Sequence, residues 1–152
     1  MKTFVLLLAL CAGMFGPTYG VFAAVPAHDT QAAFDYACKV LDYDCSRLAP
    51  PGVVWEPLYS FGVLGYYNGD DTIHMDTEVL RFADPVFTQS ILAHEIVHYL
   101  DVKLGYVTLP YTMQTVCQSE ANAWRVGNVY VLTHGRADLA RFDWFVAYGC
   151  FK

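Results

Sequence analysis

Positive charge is scarce in this 152-residue chain: 9 lysines and arginines stand against 15 aspartates and glutamates, a formal net charge of −6. Such an acidic balance argues against nucleic acid or anionic membranes as partners. Long apolar runs are scarce as well. The main one, residues 4–11, is far short of the roughly 20 residues that a membrane-spanning helix needs. No C-x-x-C pair occurs, which argues against a cysteine-liganded structural zinc, and no repeat, low-complexity tract or interdomain linker interrupts the chain. Histidine and glutamate are few, with five of the first and four of the second. A spaced pattern built from these rare residues therefore carries weight.

Apolar residues are abundant, at 55% with 16% aromatic, enough for the core of one domain and against disorder. Part of that excess is a leader. Lys2 is followed by the apolar run, then by the helix breakers Gly13, Gly16 and Pro17 and a stretch of small residues. Residues 1–24 read as a Sec-type signal peptide with cleavage between 20 and 27, leaving 25–152 as a single mature domain. A lipoprotein reading through Cys11 is weaker, because Leu10 is too bulky for the residue before a modified cysteine. Loss of Lys2 and no acid takes the formal charge to −7. Cys38, Cys45, Cys117 and Cys150 then remain, an even number that in an exported chain, periplasmic or secreted, favours two disulfides. Of three connectivities, Cys38–Cys45 and Cys117–Cys150 are preferred on sequence proximity alone.

The rare residues concentrate in His94-Glu95-Ile96-Val97-His98. On a helix, residues four apart lie about 40° apart around the axis and about 6 Å along it, so the two imidazoles converge on one point. This is the H-E-x-x-H zinc pattern. Glu95 is about 100° round from His94, badly placed as a ligand but well placed as a general base towards water at the metal. The helix is framed independently: Asp84 suits its N-cap, Pro85 its first position and Gly105 its end, while Phe87, Ile91, Leu92, Ile96, Leu100 and Leu104 recur near helical spacing.

Elsewhere, Asp29 suits the cap of a first helix reaching about Leu41, with Ala33, Phe34, Ala37, Val40 and Leu41 inward. After Pro50-Pro51-Gly52, residues 53–58, 62–67 and 72–77 read as short strands, the last two joined by a turn at Asn68-Gly69-Asp70-Asp71. In the third strand Ile73 and Met75 alternate with His74 and Asp76, giving one core face and one that is wet or lines a cleft. A second long helix is expected over 112–132, with Val116, Ala123, Val126, Val129 and Tyr130 buried and Gly127 marking close helix packing. Gly135 ends it, and a last helix is expected over 138–148.

A catalytic zinc takes three protein ligands and keeps a fourth position open. The third is sought among Asp101, Glu120, Asp138 and Asp143. Asp101, three residues after His98 on the same helix, cannot easily reach the far side of the metal; it is either a partner for an imidazole N–H or a surface acid. Glu120, on a separate helix, is the best third ligand. Residues 89–101 followed by 120–124 resemble the gluzincin zinc metallopeptidases in a reduced form similar to the minigluzincins. The resemblance spans roughly residues 72–132. It implies an α+β zincin-like fold, a small antiparallel or mixed sheet followed by the active-site helix and a second ligand-bearing helix, with one Zn2+ on His94, His98 and Glu120 and with Glu95 as base. Two departures stand out: the gluzincin pattern would put an acid where Trp124 stands, and metzincins would need a histidine where Leu104 stands. Nothing identifies an oxyanion-stabilising residue; Tyr111, Tyr130 and His134 are the candidates.

The implied reaction is hydrolysis of a peptide or protein substrate lying extended along residues 72–77, near His74 and Asp76, with Glu95 moving the proton. Two other readings stay open. One is a noncatalytic exported zinc-binding or interaction module, against which Glu95 argues, because binding zinc does not need that carboxylate. The other is a zinc hydrolase of a nonpeptide bond.

Overall fold

Local capping sets the helices. In a computed structural model of the chain, which describes residues 28–58, 63–110, 112–141 and 150, helix α1 (Thr30–Leu41) starts where Asp29 Oδ1 accepts from the Ala32 N–H at 2.8 Å. Ala33, Phe34 and Ala37, spaced to share one face, are its buried residues, while Val40 and Leu41 are partly buried against the same core. The loop that follows is closed by the Cys38–Cys45 disulfide.

Three short strands follow: β1 (Gly52–Glu56), β2 (Gly65–Tyr67) and β3 (Thr72–Asp76), in the order β1-β3-β2. β1 runs parallel to β3, and β2 runs antiparallel to it. In the β2–β3 turn the side chains of Asn68 and Asp70 accept from the backbone N–H groups of Asp70 and Thr72, and Gly69 supplies a φ of +101°. Ile73 and Met75 are fully buried on the core side, alternating with His74. Because β3 is hydrogen-bonded on both sides, it has no open edge for a substrate strand. The expectation that substrate lies along residues 72–77 is corrected: among the described residues the sheet edges are β1 and β2.

Asp76 is corrected with it. Its carboxylate is buried and accepts from the N–H groups of Glu78, Val79 and Leu58, capping a short helix α2 (Thr77–Leu80) that the sequence had not suggested. A side chain so engaged cannot face substrate.

Helix α3 (Pro85–Lys103) opens on Asp84, whose Oδ1 accepts from the Val86 N–H at 2.8 Å, with Pro85 in the first turn, and Gly105 follows its end at a φ of +77°. It packs on the sheet, α1 and α4 together, so its buried residues run round the whole cylinder, from Leu92, Ile96 and Leu100 to His94, Glu95 and Asp101. α3 is the centre of the domain. Helix α4 (Met113–Thr133) starts in a reciprocal Thr112–Thr115 capping box and lies across α3. At the crossing a Cβ on Gly127 would stand 3.3 Å from the Ser90 carbonyl oxygen, the close approach that the glycine announced.

The inward face of α4 differs from the expected stripe. Ser119, Glu120, Ala123, Val126, Gly127 and Val131 are buried, whereas Val116, Val129 and Tyr130 are only half-buried. The helix turns two polar residues towards α3 and leaves three apolar ones at its margin. A single 3-10 turn, Ala137–Leu139, stands where the last helix was expected to begin; the remainder of that stretch, 142–148, lies outside the described residues, as does the leader. Arg136 pairs with both Asp84 and Asp138, and the Cys117–Cys150 disulfide joins α4 to the end of the chain. Both expected disulfides are therefore present. Among the described residues no helix is long and apolar enough to cross a membrane.

Candidate metal centre

Helical spacing brings His94 and His98 to one side of α3, and the α3–α4 contact brings Glu120 to meet them. The two Nε2 atoms are 3.2 Å apart, Glu120 Oε2 lies 3.5 Å from that of His94, and Glu120 Oε1 lies 3.5 Å from that of His98. Zinc bonds of about 2.0–2.1 Å in a tetrahedron set ligand atoms about 3.4 Å apart. Each of these separations is close to that length, with one donor atom from each residue within 4.8 Å of the others, and two imidazoles with a carboxylate suit zinc in chemistry. A compact 2-His-1-Glu cluster for a single Zn2+ is thus built into the fold.

Burial tunes the cluster for this role. Desolvation, and then the neighbouring His98, hold the His94 pKa well below its ordinary value; desolvation alone lowers that of His98 to about 4. Both rings are held neutral, the state in which an imidazole ligates. Glu95, only 6% exposed, has its pKa pushed up to about 8, first by desolvation and then by the like charge of Glu120. A metal cation at the cluster would relieve that repulsion and favour the carboxylate.

β2 fixes where Glu95 can lie. A Cβ built on Gly65 would stand 2.9 Å from Glu95 Cγ and 3.1 Å from its Oε1, so the edge strand passes the acid with room for glycine only. A lone glycine in a strand is the sign of such an approach, and Gly65 was there to be read. Ser119 is a second residue that sequence reasoning missed. Its Oγ lies 2.8 Å from His98 Nδ1, engaging that nitrogen and leaving Nε2 to face the metal site. A serine beside a ligand glutamate gives no signal in one sequence, because its partner is set by how two helices cross.

His94 is held differently. The Trp124 ring packs edge-on against it, centroids 4.5 Å apart at 70°, and His94 Nδ1 is buried without a hydrogen bond. Trp124 therefore supplies an apolar wall where an acid would supply an acceptor.

The remaining candidates lie elsewhere. His74 is on the sheet face away from α3, its Nδ1 2.6 Å from Glu56 Oε1 and its ring stacked on Tyr66. Asp101 meets no imidazole directly and is no surface acid: at 1% exposure it accepts from the Tyr43 hydroxyl at 2.7 Å. Tyr130 and His134 stack on one another near the C-terminal end of α4, ten and fourteen residues beyond Glu120, or about 15–20 Å along the helix. That distance removes both as oxyanion stabilisers. Tyr111 lies outside the described residues.

No family model matches the chain, and neither a curated protein nor a solved structure matches it. Its class rests on its own fold and site. A mixed three-stranded sheet, an active-site helix bearing His94, Glu95 and His98, and a second helix bearing Glu120 make an α+β fold of the minigluzincin type. The 2-His-1-Glu cluster is consistent with a gluzincin-like active site and with a catalytic, zinc-dependent hydrolase.

Proposed function

We propose that the mature chain, a single domain, is an exported zinc metallopeptidase in which His94, His98 and Glu120 hold the metal and Glu95 is the general base. The observation that carries this is the buried Glu95 beside a compact cluster of three donor residues, His94, His98 and Glu120. Binding the metal needs the three donors only. A second carboxyl group, costly to bury, calls for a task of its own, and proton transfer near neutral pH suits a carboxyl so displaced.

Zinc, when bound, supplies a Lewis acid that polarises a carbonyl and acidifies water. Glu95 takes a proton from the attacking water as oxygen adds to the carbonyl carbon, and delivers it to the departing nitrogen as the C–N bond breaks. Substrate is placed by the edge strand beside that acid. β2 has one side paired with β3 and runs past Glu95 at Gly65, so an extended peptide added along β2 brings its scissile bond to the base. Export is supported by the pairing of all four cysteines downstream of the leader in two disulfides.

The test is peptide-library profiling of purified, zinc-loaded mature protein beside Glu95→Gln. The wild type should cleave peptides, and the variant should keep its zinc but lose about 10²–10⁴-fold in rate. Cleavage by neither protein would favour the noncatalytic module; equal rates would remove Glu95 as base.

A further inference from the structure

The metal site has a polar support that reaches well beyond its ligands. His98 and Asp101 are three residues apart on α3, and Ser119 and Asn122 are three apart on α4, so the two pairs face each other across the helix contact. His98 Nδ1 lies 2.8 Å from Ser119 Oγ. Ser119 and Asn122 also lie against the Asp101 carboxyl group, whose pKa burial raises while its contacts with Tyr43, Ser119 and Asn122 work to lower it. Tyr43, carried by the disulfide-closed loop, donates to Asp101 Oδ1 at 2.7 Å and accepts from Asn122 at 3.2 Å.

Asp101 needs an explanation. It is 1% exposed, no lysine or arginine among the described residues ion-pairs with it, and its Oδ2 is buried without a hydrogen bond of ordinary length. A carboxylate in such a place is costly unless something nearby uses its charge. Ser119 offers the link: once its oxygen accepts from the His98 N–H, its single proton is free to point at Asp101. We propose that Asp101, acting through Ser119, is a positioning residue for His98, a carboxylate–hydroxyl–imidazole relay that orients the ring and raises its strength as a zinc ligand. This rests on the metal reading above. Tyr43 and Asn122 occupy the carboxylate's other side and keep it turned towards Ser119.

The test measures zinc dissociation constants by chelator competition for the wild type, Ser119→Ala, Asp101→Asn and the double variant, with unfolding followed separately on the metal-free proteins. Each single variant should bind zinc about 10–100-fold more weakly. The double should be no weaker than Ser119→Ala, because Asp101 acts only through the serine. Ser119→Thr, which keeps the hydroxyl, should restore binding. Wild-type affinity in Asp101→Asn, with or without a lowered unfolding midpoint, would reduce Asp101 to a structural residue and overturn the relay, as would strictly additive losses. If Asp101→Asn fails to fold, the serine pair decides: wild-type affinity in Ser119→Ala overturns the relay, and a loss restored by threonine upholds it. A wild type that binds no zinc would refute the metal reading itself, a separate outcome.

Discussion

Replacing Gly65 by alanine tests whether the edge strand sets the position of the proposed base. The added Cβ would lie 2.9 Å from Glu95 Cγ, 3.1 Å from Oε1 and 3.1 Å from the His74 carbonyl oxygen, where ordinary contacts begin near 3.4 Å. About half an ångström must be found. None of the three atoms yields easily, since one is backbone and the others belong to a buried side chain. Either β2 draws back from β3 or Glu95 swings. Overpacking of this kind costs about 1–3 kcal/mol of stability, and misplacing a reacting group by about 1 Å can cost about 10²-fold in rate. A shift half as large should cost roughly tenfold in kcat/KM, measured on the best peptide from library profiling. Zinc content by elemental analysis should stay at one per chain, because the three atoms nearest the added Cβ belong to Glu95 and His74 and to none of the ligands. Unchanged kcat/KM together with an unchanged unfolding midpoint would show that β2 does not constrain Glu95.

Two further outcomes are expected. Glu120→Ala should lose most of its zinc while both disulfides and the fold persist; full zinc content by elemental analysis would remove Glu120 from the site. In metal-free protein Glu95, with its pKa raised from 4.5 to about 8, holds a proton that the unfolded chain releases, so its contribution to stability is present below pH 4.5 and is lost as pH rises towards 8. The buried histidines act oppositely, costing stability as pH falls below 6.5. Subtracting Glu95→Gln isolates the acid: the variant's stability relative to wild type should grow between pH 4.5 and 8, by at most about 1.4 kcal/mol per pH unit, in urea titrations of metal-free protein. A difference independent of pH would contradict the raised pKa.

What could be read from the residues was whatever depends on spacing within one helix. Asp84, Pro85 and Gly105 framed α3, and the His94–His98 pair needed only helical geometry to converge. Gly127 signalled a helix crossing, though not which helix. Strand order was not legible, because alternation tells which face of a strand is buried and not what lies along its edges. β3 reads like any half-buried strand, and its place between β1 and β2 comes from a parallel pairing that the chain sets up across intervening residues. α4 failed in a different way. An apolar stripe chosen by hydrophobicity missed the face that α4 presents to α3, where Ser119 and Glu120 are buried for the metal site, so local hydrophobic pattern and functional burial disagree there.

The same disagreement explains why the two histidine ligands are supported unequally. α4 meets α3 with Ser119 against His98 and Trp124 against His94, five residues apart on one helix. Ser119 gives one imidazole an acceptor and, through it, the charge of Asp101. Trp124 gives the other only a ring edge, leaving His94 Nδ1 buried and unbonded. An acid at 124 would have added a second negative charge beside the cluster and strengthened His94 as a donor. Tryptophan adds none, so a metal bound by two neutral imidazoles and one carboxylate would keep net positive charge beside an apolar ring. Low dielectric and residual charge both sharpen the pull of the metal on a carbonyl, at the cost of a weaker hold on the metal. Under these conditions the His98 support matters more. With one imidazole held by packing alone, the orientation of the pair rests on the Ser119 side, which is where the fold has buried an otherwise unexplained carboxylate.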